Sequence, residues 1–258
     1  MFPSNNLDVI SQKRLFNKIL EDKNYFIGGL VVPTDFADHG LELKKFIDDF
    51  KKPILFIDAP PPFKEIEYPE NSAFIGYNNL EGGKLAAKAM HYELNKFDMS
   101  KYNVLIIASK VVSQRQFGFA EHLKEIMKSK LGEVECLEDG HFRREDGSKI
   151  YKKVLSFKNS DYLYYQGIFC TNDEMALGVL STINDIHGFP KEKITIIGYD
   201  SITEATELIK SKDSPIKNSV NQEPDKLASR SVEKLLKMIK GGHVLTCEYI
   251  DPVLYHKI

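Results

Sequence analysis

The stretch from Gln166 to Asp200 limits the fold of this chain most strongly, because it reads as a strand, a helix and a second strand. Residues 167–170 are an apolar run that predicts a buried strand, and residues 194–199 predict another. Between them, apolar residues recur at helical spacing, and the polar run 171–173 is suited to cap the start of that helix. Units of this kind build parallel sheets, and ligands bind outside the carboxyl ends of their strands.

The rest of the chain repeats this alternation of strands and helices. The spacing of apolar residues, together with Gly and Pro at the breaks, predicts the further strands at 26–33, 53–58, 74–77, 104–108, 216–221 and, as one or two strands, 243–255, and it predicts a strand followed by a loop at 131–142. It predicts the further helices at 7–21, 41–50, 84–95, 113–130, 147–157, 203–211 and 224–240. The pattern indicates an α/β fold with doubly wound parallel sheets. A closed eight-stranded barrel is the alternative, although the uneven spacing of the strands disfavours it.

Composition excludes several classes of function. The chain has 258 residues and a net charge of −2, with Lys and Arg scattered, so no nucleic-acid-binding patch is expected. The basic run from Lys149 to Lys153 is expected to be a solvated helix face. The three cysteines are far apart and form no CxxC pair, so neither a zinc site nor a disulfide framework is expected.

Targeting signals are also missing from the sequence as written. No apolar run is long enough for a membrane helix, and the first twelve residues lack the basic and apolar regions of a signal peptide. If residue 1 is the true start, the chain is expected to be soluble and cytoplasmic.

Catalytic motifs are not found either. The sequence has no GxSxG, HExxH, Walker or Rossmann motif, and its seven histidines are dispersed. We therefore expect no enzymatic activity and no cofactor. Asp58 and Asp200 could form a glycosidase pair, but a role as acceptors for ligand hydroxyls explains them better.

Several segments, in order along the chain, carry a resemblance to a known family. They are FIGYNNLEGGKLAA, SQRQFGF, IFCTNDEMALGVL, IIGYDSITEA, SVNQEPDKLA and the closing IDPVLYHK. Together they resemble the type I periplasmic binding protein family. That family includes ribose- and galactose-type sugar-binding proteins and the effector-binding core of lactose-repressor-like regulators.

The resemblance implies two doubly wound lobes joined by three hinge crossovers, with a ligand between them and closure by a hinge motion. Carried onto this chain, the N-terminal lobe would be residues 1–77 and 223–250. The C-terminal lobe would be residues 78–222 and 251–258.

The chain departs from the family pattern at two places. Family members begin with a strand, a helix and a second strand ahead of the helix predicted at residue 7, and no such segments are found here. Truncation, a partner that supplies the missing part, and a rebuilt first lobe are all open explanations. The family also often has a polar residue after the acid that corresponds to Asp58, whereas Ala59 and three prolines follow it here.

The resemblance also assigns candidate ligand-binding residues at loop and strand ends. A sugar needs planar polar groups that bridge adjacent hydroxyls, and flat apolar faces for its C–H surface. Arg115 offers a forked donor that keeps its charge, and carboxylates can accept from hydroxyls. The residues that match sugar-contacting positions of the family are Asp58, Arg115, Asn172, Asp200 and Gln222, and Phe142 resembles its stacking aromatic.

Each of these side chains also has a purely structural explanation. Asn172 could serve solely as the cap of its helix, and Arg115 could pair with a surface carboxylate. Asp58 could cap a strand end, whereas Asp200 and Gln222 could serve as turn and hinge residues.

Three further features leave similar alternatives open. Phe142 could equally be a core residue. Arg143 and Arg144 could reach an anionic ligand, but neighbouring arginines in a loop more often face solvent. The pair Gly82-Gly83 could cradle a phosphate at a helix start, but close helix packing explains it better.

The resemblance thus predicts a non-enzymatic binding protein for a small sugar. Its partners would be the permease of an ABC-type transporter or a membrane sensor, and it could form a homodimer. By resemblance it would act in the periplasm or outside the cell. The alternatives are the effector-binding core of a transcriptional regulator, which would bind no nucleic acid through this chain alone, and an interaction module that has lost its ligand.

Overall fold

The computed structural model describes residues 9–33, 40–62, 64, 67–159, 161–211 and 213–255. The chain divides into two compact units. The first unit comprises Met1–Tyr77 and Glu223–Ile250, and the second comprises Asn78–Gln222 and Asp251–Ile258. The first two residues of the helix predicted at 7–21 lie outside the described residues.

The first unit contains four strands and three helices among its described residues. The strands are β1 (Gly29–Val31), β2 (Ile54–Asp58), β3 (Ser72–Tyr77) and β9 (Cys247–Ile250), and the helices are α1 (Val9–Glu21), α2 (Gly40–Phe50) and α8 (Pro224–Ile239). The strands pair in parallel in the order β1-β2-β3-β9.

Alternating strand residues of this sheet face two separate cores, as the two-residue period of a strand requires. Ile54, Phe56 and Phe74 pack with α1 and α2, where the Phe16 and Phe46 rings stack 4.1 Å apart. Leu55, Ala73 and Ile75 pack with Leu227 of α8. Because both faces are covered, the strands read as continuous apolar runs.

The second unit contains six strands and five helices among its described residues. The strands are β4 (Tyr102–Ile107), β5 (Leu131–Leu137), β6 (Gly167–Cys170), β7 (Thr195–Tyr199), β8 (Ile216–Asn221) and β10 (Val253–Leu254). The helices are α3 (Asn79–Leu94), α4 (Ser113–Met127), α5 (Arg144–Phe157), α6 (Asp173–Asn184) and α7 (Thr203–Lys210). The sheet order is β10-β8-β7-β6-β4-β5, and only the β10–β8 pair is antiparallel within the part of the unit that is described.

Helices cover both faces of this second sheet. Leu105, Ile107 and Ile168 pack with α5 and α6, whereas Val104 and Phe169 pack with α3 and α4. The strands lie in two open sheets, so the α/β class with parallel sheets is confirmed, and the described strands form no closed barrel.

Some element boundaries differ from those predicted. The strand predicted at 26–33 is only Gly29–Val31, because only these residues pair with β2. Within the strand and loop predicted at 131–142, the strand ends at Leu137. The helix predicted from Lys84 begins at Asn79, because the Asn78 side chain accepts a hydrogen bond from the N–H of Glu81 and so caps it earlier.

Lys149, Lys152 and Lys153 are exposed on α5, so the prediction of a solvated basic face is confirmed. None of the described helices combines the length and the apolar character needed to cross a membrane.

Candidate functional site

The topology of the second sheet points to one place for a ligand. Strands β4 and β6 are neighbours, but the chain continues from β4 to β5 on one side and from β6 to β7 on the other. Ligands of open α/β sheets bind outside the carboxyl ends of strands at such a switch point. Arg115 lies in the helix that follows β4, and Thr171 and Asn172 directly follow β6.

Arg115 is the centre of the polar cluster at this switch point. The residue is 7% exposed, and its Nε donates to Asn79 Oδ1 at 2.9 Å. One terminal nitrogen donates to the Thr171 carbonyl at 2.8 Å, and the other donates to Gln222 Oε1 at 3.0 Å. The three hydrogen-bond acceptors of Arg115 are thus two side-chain amide oxygens and a backbone carbonyl rather than a surface carboxylate.

Asp200 and Gln222 complete the polar part of the cluster. Asp200 Oδ1 lies 3.7 Å from a terminal nitrogen of Arg115, and it accepts a hydrogen bond from the Gln222 amide. The structure thus brings three predicted site residues together, from α4 and from the ends of β7 and β8. The carboxylate offsets the charge of the guanidinium, which would otherwise be costly to bury.

Tyr199 supplies an aromatic face beneath this cluster. The guanidinium carbon of Arg115 lies 3.9 Å from the centroid of its ring, which is the geometry of a cation–π contact. The tyrosine is fully buried, and burial raises its pKa to about 12 even though the nearby Arg115 charge opposes the shift. Tyr199 is therefore a neutral platform for the arginine at any physiological pH.

A close contact between α3 and α4 places Asn79 beside Arg115. A Cβ atom on Gly83 would lie 2.2 Å from the Arg115 carbonyl oxygen, and one on Gly118 would lie 2.3 Å from the Leu80 carbonyl oxygen. The two backbones can approach this closely only because both positions are glycine. Close helix packing is thus the structural role of the Gly82-Gly83 segment, since α4 occupies the space that a phosphate would need at Gly83.

Both polar atoms of the Asn172 side chain make hydrogen bonds. Its Oδ1 accepts from the N–H of Met175 at 3.0 Å and caps α6, and its Nδ2 donates to the Phe142 carbonyl at 2.9 Å. Phe142 has a left-handed backbone (φ 62°) and packs, partly buried, against the core of the second unit. The capping role of Asn172 and a core contact for Phe142 are therefore both observed, and their ligand contacts remain predictions.

The sequence predicted Arg143 and Arg144 to lie in a loop; Arg143 precedes helix α5, whereas Arg144 is the first residue of that helix. Helix α5 begins at Arg144, three residues earlier than expected, because Glu145 and Asp146 suit the positive end of the helix dipole. Arg143 makes two hydrogen bonds to Asp146, and this guanidinium holds the pKa of the carboxyl below its usual range.

Arg144 is held by two carboxylates, those of Glu174 at 3.0 Å and Glu204 at 2.7 Å. It therefore joins the starts of α5, α6 and α7 on the surface of the second unit.

Asp58 belongs to the first unit. It is the last residue of β2, its side chain is exposed, and its backbone is left-handed (φ 68°). Its role as a ligand acceptor remains a prediction.

Three residues of the cluster were not among the sequence candidates: Asn79, Thr171 and Tyr199. Each lies at or next to a strand end or a helix start, which is the available sequence signal. Thr171 acts through its carbonyl, so its side chain gives no signal at all. Among the described residues, no group of three or more His, Cys, Asp or Glu side chains is placed to hold a metal ion.

Comparison with known proteins agrees with this fold. The family model of the periplasmic binding protein domain matches residues 30–243, so this chain belongs to the periplasmic binding protein domain family. A periplasmic solute-binding protein of an ABC transporter from Actinobacillus succinogenes, solved with bound D-allose, is similar in structure. Its TM-score is 0.78 at 22% identity, over 94% of this chain and 82% of that one. At this identity the likeness shows the fold.

Two named relatives are similar in sequence. The transcriptional repressor PurR of Histophilus somni is 26% identical over 239 residues, which is 91% of this chain and 61% of the repressor. The ribose import binding protein RbsB of Haemophilus influenzae is 27% identical over 172 residues, which is 66% of this chain and 53% of that protein. The chain thus spans less than two thirds of the length of both relatives.

Proposed function

We propose that this chain binds a small sugar, or a similar polyhydroxylated ligand, and does not change it chemically. The observation that carries the proposal is the buried guanidinium of Arg115, which Asn79, Thr171 and Gln222 hold in one orientation at the switch point of the second sheet. Rigidly held polar groups of this kind fix the orientation of a small ligand in a binding site.

The chemistry of this cluster suits vicinal hydroxyl groups. A guanidinium has five N–H donors in a fixed fork, and three of them donate to acceptors among the described residues. Asp200 adds a carboxylate acceptor beside the donors. Adjacent hydroxyls of a sugar can accept from such a fork and donate to such a carboxylate. The donors and acceptors needed for one sugar edge are thus combined within the second unit.

The family and the relatives support a role in transport. RbsB is named as a ribose import binding protein, and the similar structure from Actinobacillus succinogenes is an ABC transporter component that holds D-allose. We infer that this chain passes a sugar to the permease of an ABC-type transporter, or reports it to a membrane sensor. Its place of action would then be the periplasm or the cell exterior.

Thermal denaturation in the presence of pentoses, hexoses and inositols tests the proposal. A ligand at a hundred times its dissociation constant adds about 2.7 kcal/mol to the free energy of unfolding. For a chain of this size, that corresponds to a rise in Tm of roughly 5–10 °C. A folded protein whose Tm no sugar in the panel raises would contradict the proposal and favour a ligand-less interaction module.

The effector-binding core of a transcriptional regulator is the second candidate. It is favoured by the PurR match, which covers 91% of this chain. The two candidates differ in what the genome encodes next to this chain. A DNA-binding domain in the same reading frame supports a regulator, and an export signal in that frame, with neighbouring permease genes, supports transport.

A further inference from the structure

The turn that carries Asp200 has an unusual backbone. Asp200 and Ser201, which directly follow β7, both have positive φ angles, of 102° and 54°. Residues other than glycine adopt this region only where the surrounding structure imposes it. The hydrogen bonds of Ser201 and Ile202 identify the groups that impose this backbone conformation.

Two buried side chains hold the backbone after Asp200. The N–H of Ser201 donates to Ser219 Oγ at 3.0 Å, and the N–H of Ile202 donates to Asp173 Oδ2 at 2.9 Å. The Ser219 hydroxyl donates in turn to Asp173 Oδ1 at 2.8 Å. Asp173 thus binds one N–H group of the turn directly and another through Ser219, and its own exposure is 0%.

We propose that Asp173 is a positioning residue for ligand binding, which holds the Asp200–Ile202 turn so that the Asp200 carboxylate lies beside Arg115. Asp173 does not touch the ligand and acts through the turn. The ligand half of this inference rests on the proposed function, whereas the structural half does not.

The fold is adapted to a carboxylate at this position. A Cβ atom on residue 198 would lie 2.0 Å from Asp173 Oδ1, so glycine at that position of β7 leaves room for the carboxyl group. Both carboxylate oxygens accept hydrogen bonds, whereas an amide offers only one acceptor oxygen. Asparagine at position 173 keeps one acceptor, for the N–H of Ile202, but places an amide donor opposite the Ser219 hydroxyl, which therefore loses its acceptor.

The carboxyl group of Asp173 is buried, and burial disfavours its charged form. Burial raises the pKa of Asp173 to about 7. The negative charge of Asp200 adds to the shift, and the hydrogen bonds from Ile202, Ser219 and the Tyr199 backbone oppose it. The Cys170 thiol at the end of β6 is also close enough to interact with Asp173, since burial, together with the Asp173 charge, raises the pKa of that thiol. A costly group in the core is consistent with a requirement for its two acceptors.

Amide hydrogen exchange of the unliganded protein tests the structural half. The variants are Asp173→Asn and, as a matched control, Thr182→Val, which removes a buried hydroxyl bonded to Ser148 between α5 and α6. Loss of one hydrogen bond is expected to speed exchange at Ser201 and Ile202 about tenfold in Asp173→Asn. Thr182→Val should leave these two amides unchanged. Equal exchange in Asp173→Asn and the wild type would overturn the proposal.

Titration of the same variants with the sugar that raises the Tm most tests the ligand half. Asp173→Asn is expected to weaken binding about tenfold, and Thr182→Val is expected to leave the dissociation constant unchanged. Faster exchange with unchanged affinity would show a structural residue only and would overturn the positioning role. A wild type that binds no sugar defeats the proposed function, while the exchange rates still decide whether Asp173 holds the turn.

Ser219→Ala provides an independent variant if Asp173→Asn does not fold. It removes the acceptor for Ser201 and leaves the carboxyl group in place. Faster exchange at Ser201 together with weaker binding would support the proposal. Wild-type values for both would contradict it.

Discussion

The guanidinium of Arg115 lies over the ring of Tyr199, with its central carbon 3.9 Å from the ring centroid. The same guanidinium donates hydrogen bonds to three residues that are distant in the chain, at sequence separations of 36, 56 and 107 positions. A buried cation is thus supported on one side by an aromatic face and at its edges by polar groups from α3 and from the residues that directly follow β6 and β8.

Arg115→Lys is expected to weaken sugar binding by about 10- to 100-fold, because a lysine keeps the charge but loses the fork. Isothermal titration with the sugar identified by thermal denaturation measures the effect. Arg144→Lys is the matched control, since Arg144 is also held by carboxylates in the second unit but lies on its surface. Equal affinities of Arg115→Lys and the wild type would exclude a ligand contact at Arg115.

Substitutions at Asn172 separate its capping role from a role in binding. Asn172→Ala removes the cap of α6 and should cost about 1 kcal/mol, or roughly 2–4 °C in Tm. Asn172→Ser keeps a side-chain acceptor for the N–H of Met175, so its Tm should stay close to that of the wild type.

The two Asn172 variants should behave alike in sugar titrations, because both lack the amide that donates to Phe142. If Asn172→Ser binds sugar as tightly as the wild type, capping is the whole role of this residue.

Gly83→Ala is expected to separate α3 from α4, because the new Cβ would meet the Arg115 carbonyl oxygen at 2.2 Å. Overpacking of this kind costs about 1–3 kcal/mol, which urea denaturation measures. Sugar affinity should fall as well, since Asn79 would move away from Arg115. Gly29→Ala is the control, because nothing lies within 4 Å of its new Cβ, and its cost should be under about 0.5 kcal/mol.

The raised pKa of Asp173 gives the stability a defined dependence on pH. The pKa is about 7 in the folded protein and 3.8 in an unperturbed carboxyl group, so between these values the folded protein binds more protons than the unfolded chain. This contribution to stability is complete below pH 3.8 and is lost as the pH rises through about 7.

Comparison of the wild type with Asp173→Asn isolates this contribution, because the other titrating groups are shared. Urea denaturation at several pH values from 4 to 8 should show the wild type losing stability relative to the variant as the pH rises. A constant difference between the two proteins would mean that Asp173 titrates normally.

An ion pair between a buried lysine and a partly buried glutamate in the first unit predicts unequal effects of two conservative substitutions. Lys234 is 6% exposed, and its Nζ lies 3.2 Å from Glu248 and 3.2 Å from the Phe74 carbonyl oxygen. Glu248→Gln should cost about 1–3 kcal/mol, because it leaves a buried ammonium without its counter-charge.

Glu204→Gln is the matched control for Glu248→Gln, since Glu204 pairs with Arg144 on the surface. It should change the free energy of unfolding by less than about 1 kcal/mol. Thermal denaturation compares the two variants, and similar losses would show that burial of Lys234 has no special cost.

Much of the fold could be predicted from local signals. Apolar runs and helical spacing predicted β6, α6 and β7 closely, because the residues that each element buries are apolar and recur in the sequence in the pattern typical of that element. The start of α5 was predicted three residues late, since the first turn of a helix carries few apolar residues and is defined by its cap and charges.

The candidate site was only partly predictable for a related reason. Arg115, Asp200 and Gln222 stand at strand ends or a helix start, where a side chain of that type is informative by itself. Asn79 and Tyr199 belong to the site only because of tertiary packing. Helix α3 contacts α4 at Gly83, and β7 lies between β6 and β8 in the sheet.

The sequence by itself determined the alternation of strands and helices, the apolar faces that bury them, and the polar residues at the strand ends. Only the tertiary structure decided that Arg115 rests on Tyr199 and that Asp173 and Ser219 hold the turn after Asp200. The reason is physical: periodicity is a local property of the chain, whereas these contacts join elements separated by tens of residues and exist only when both sheet faces are packed.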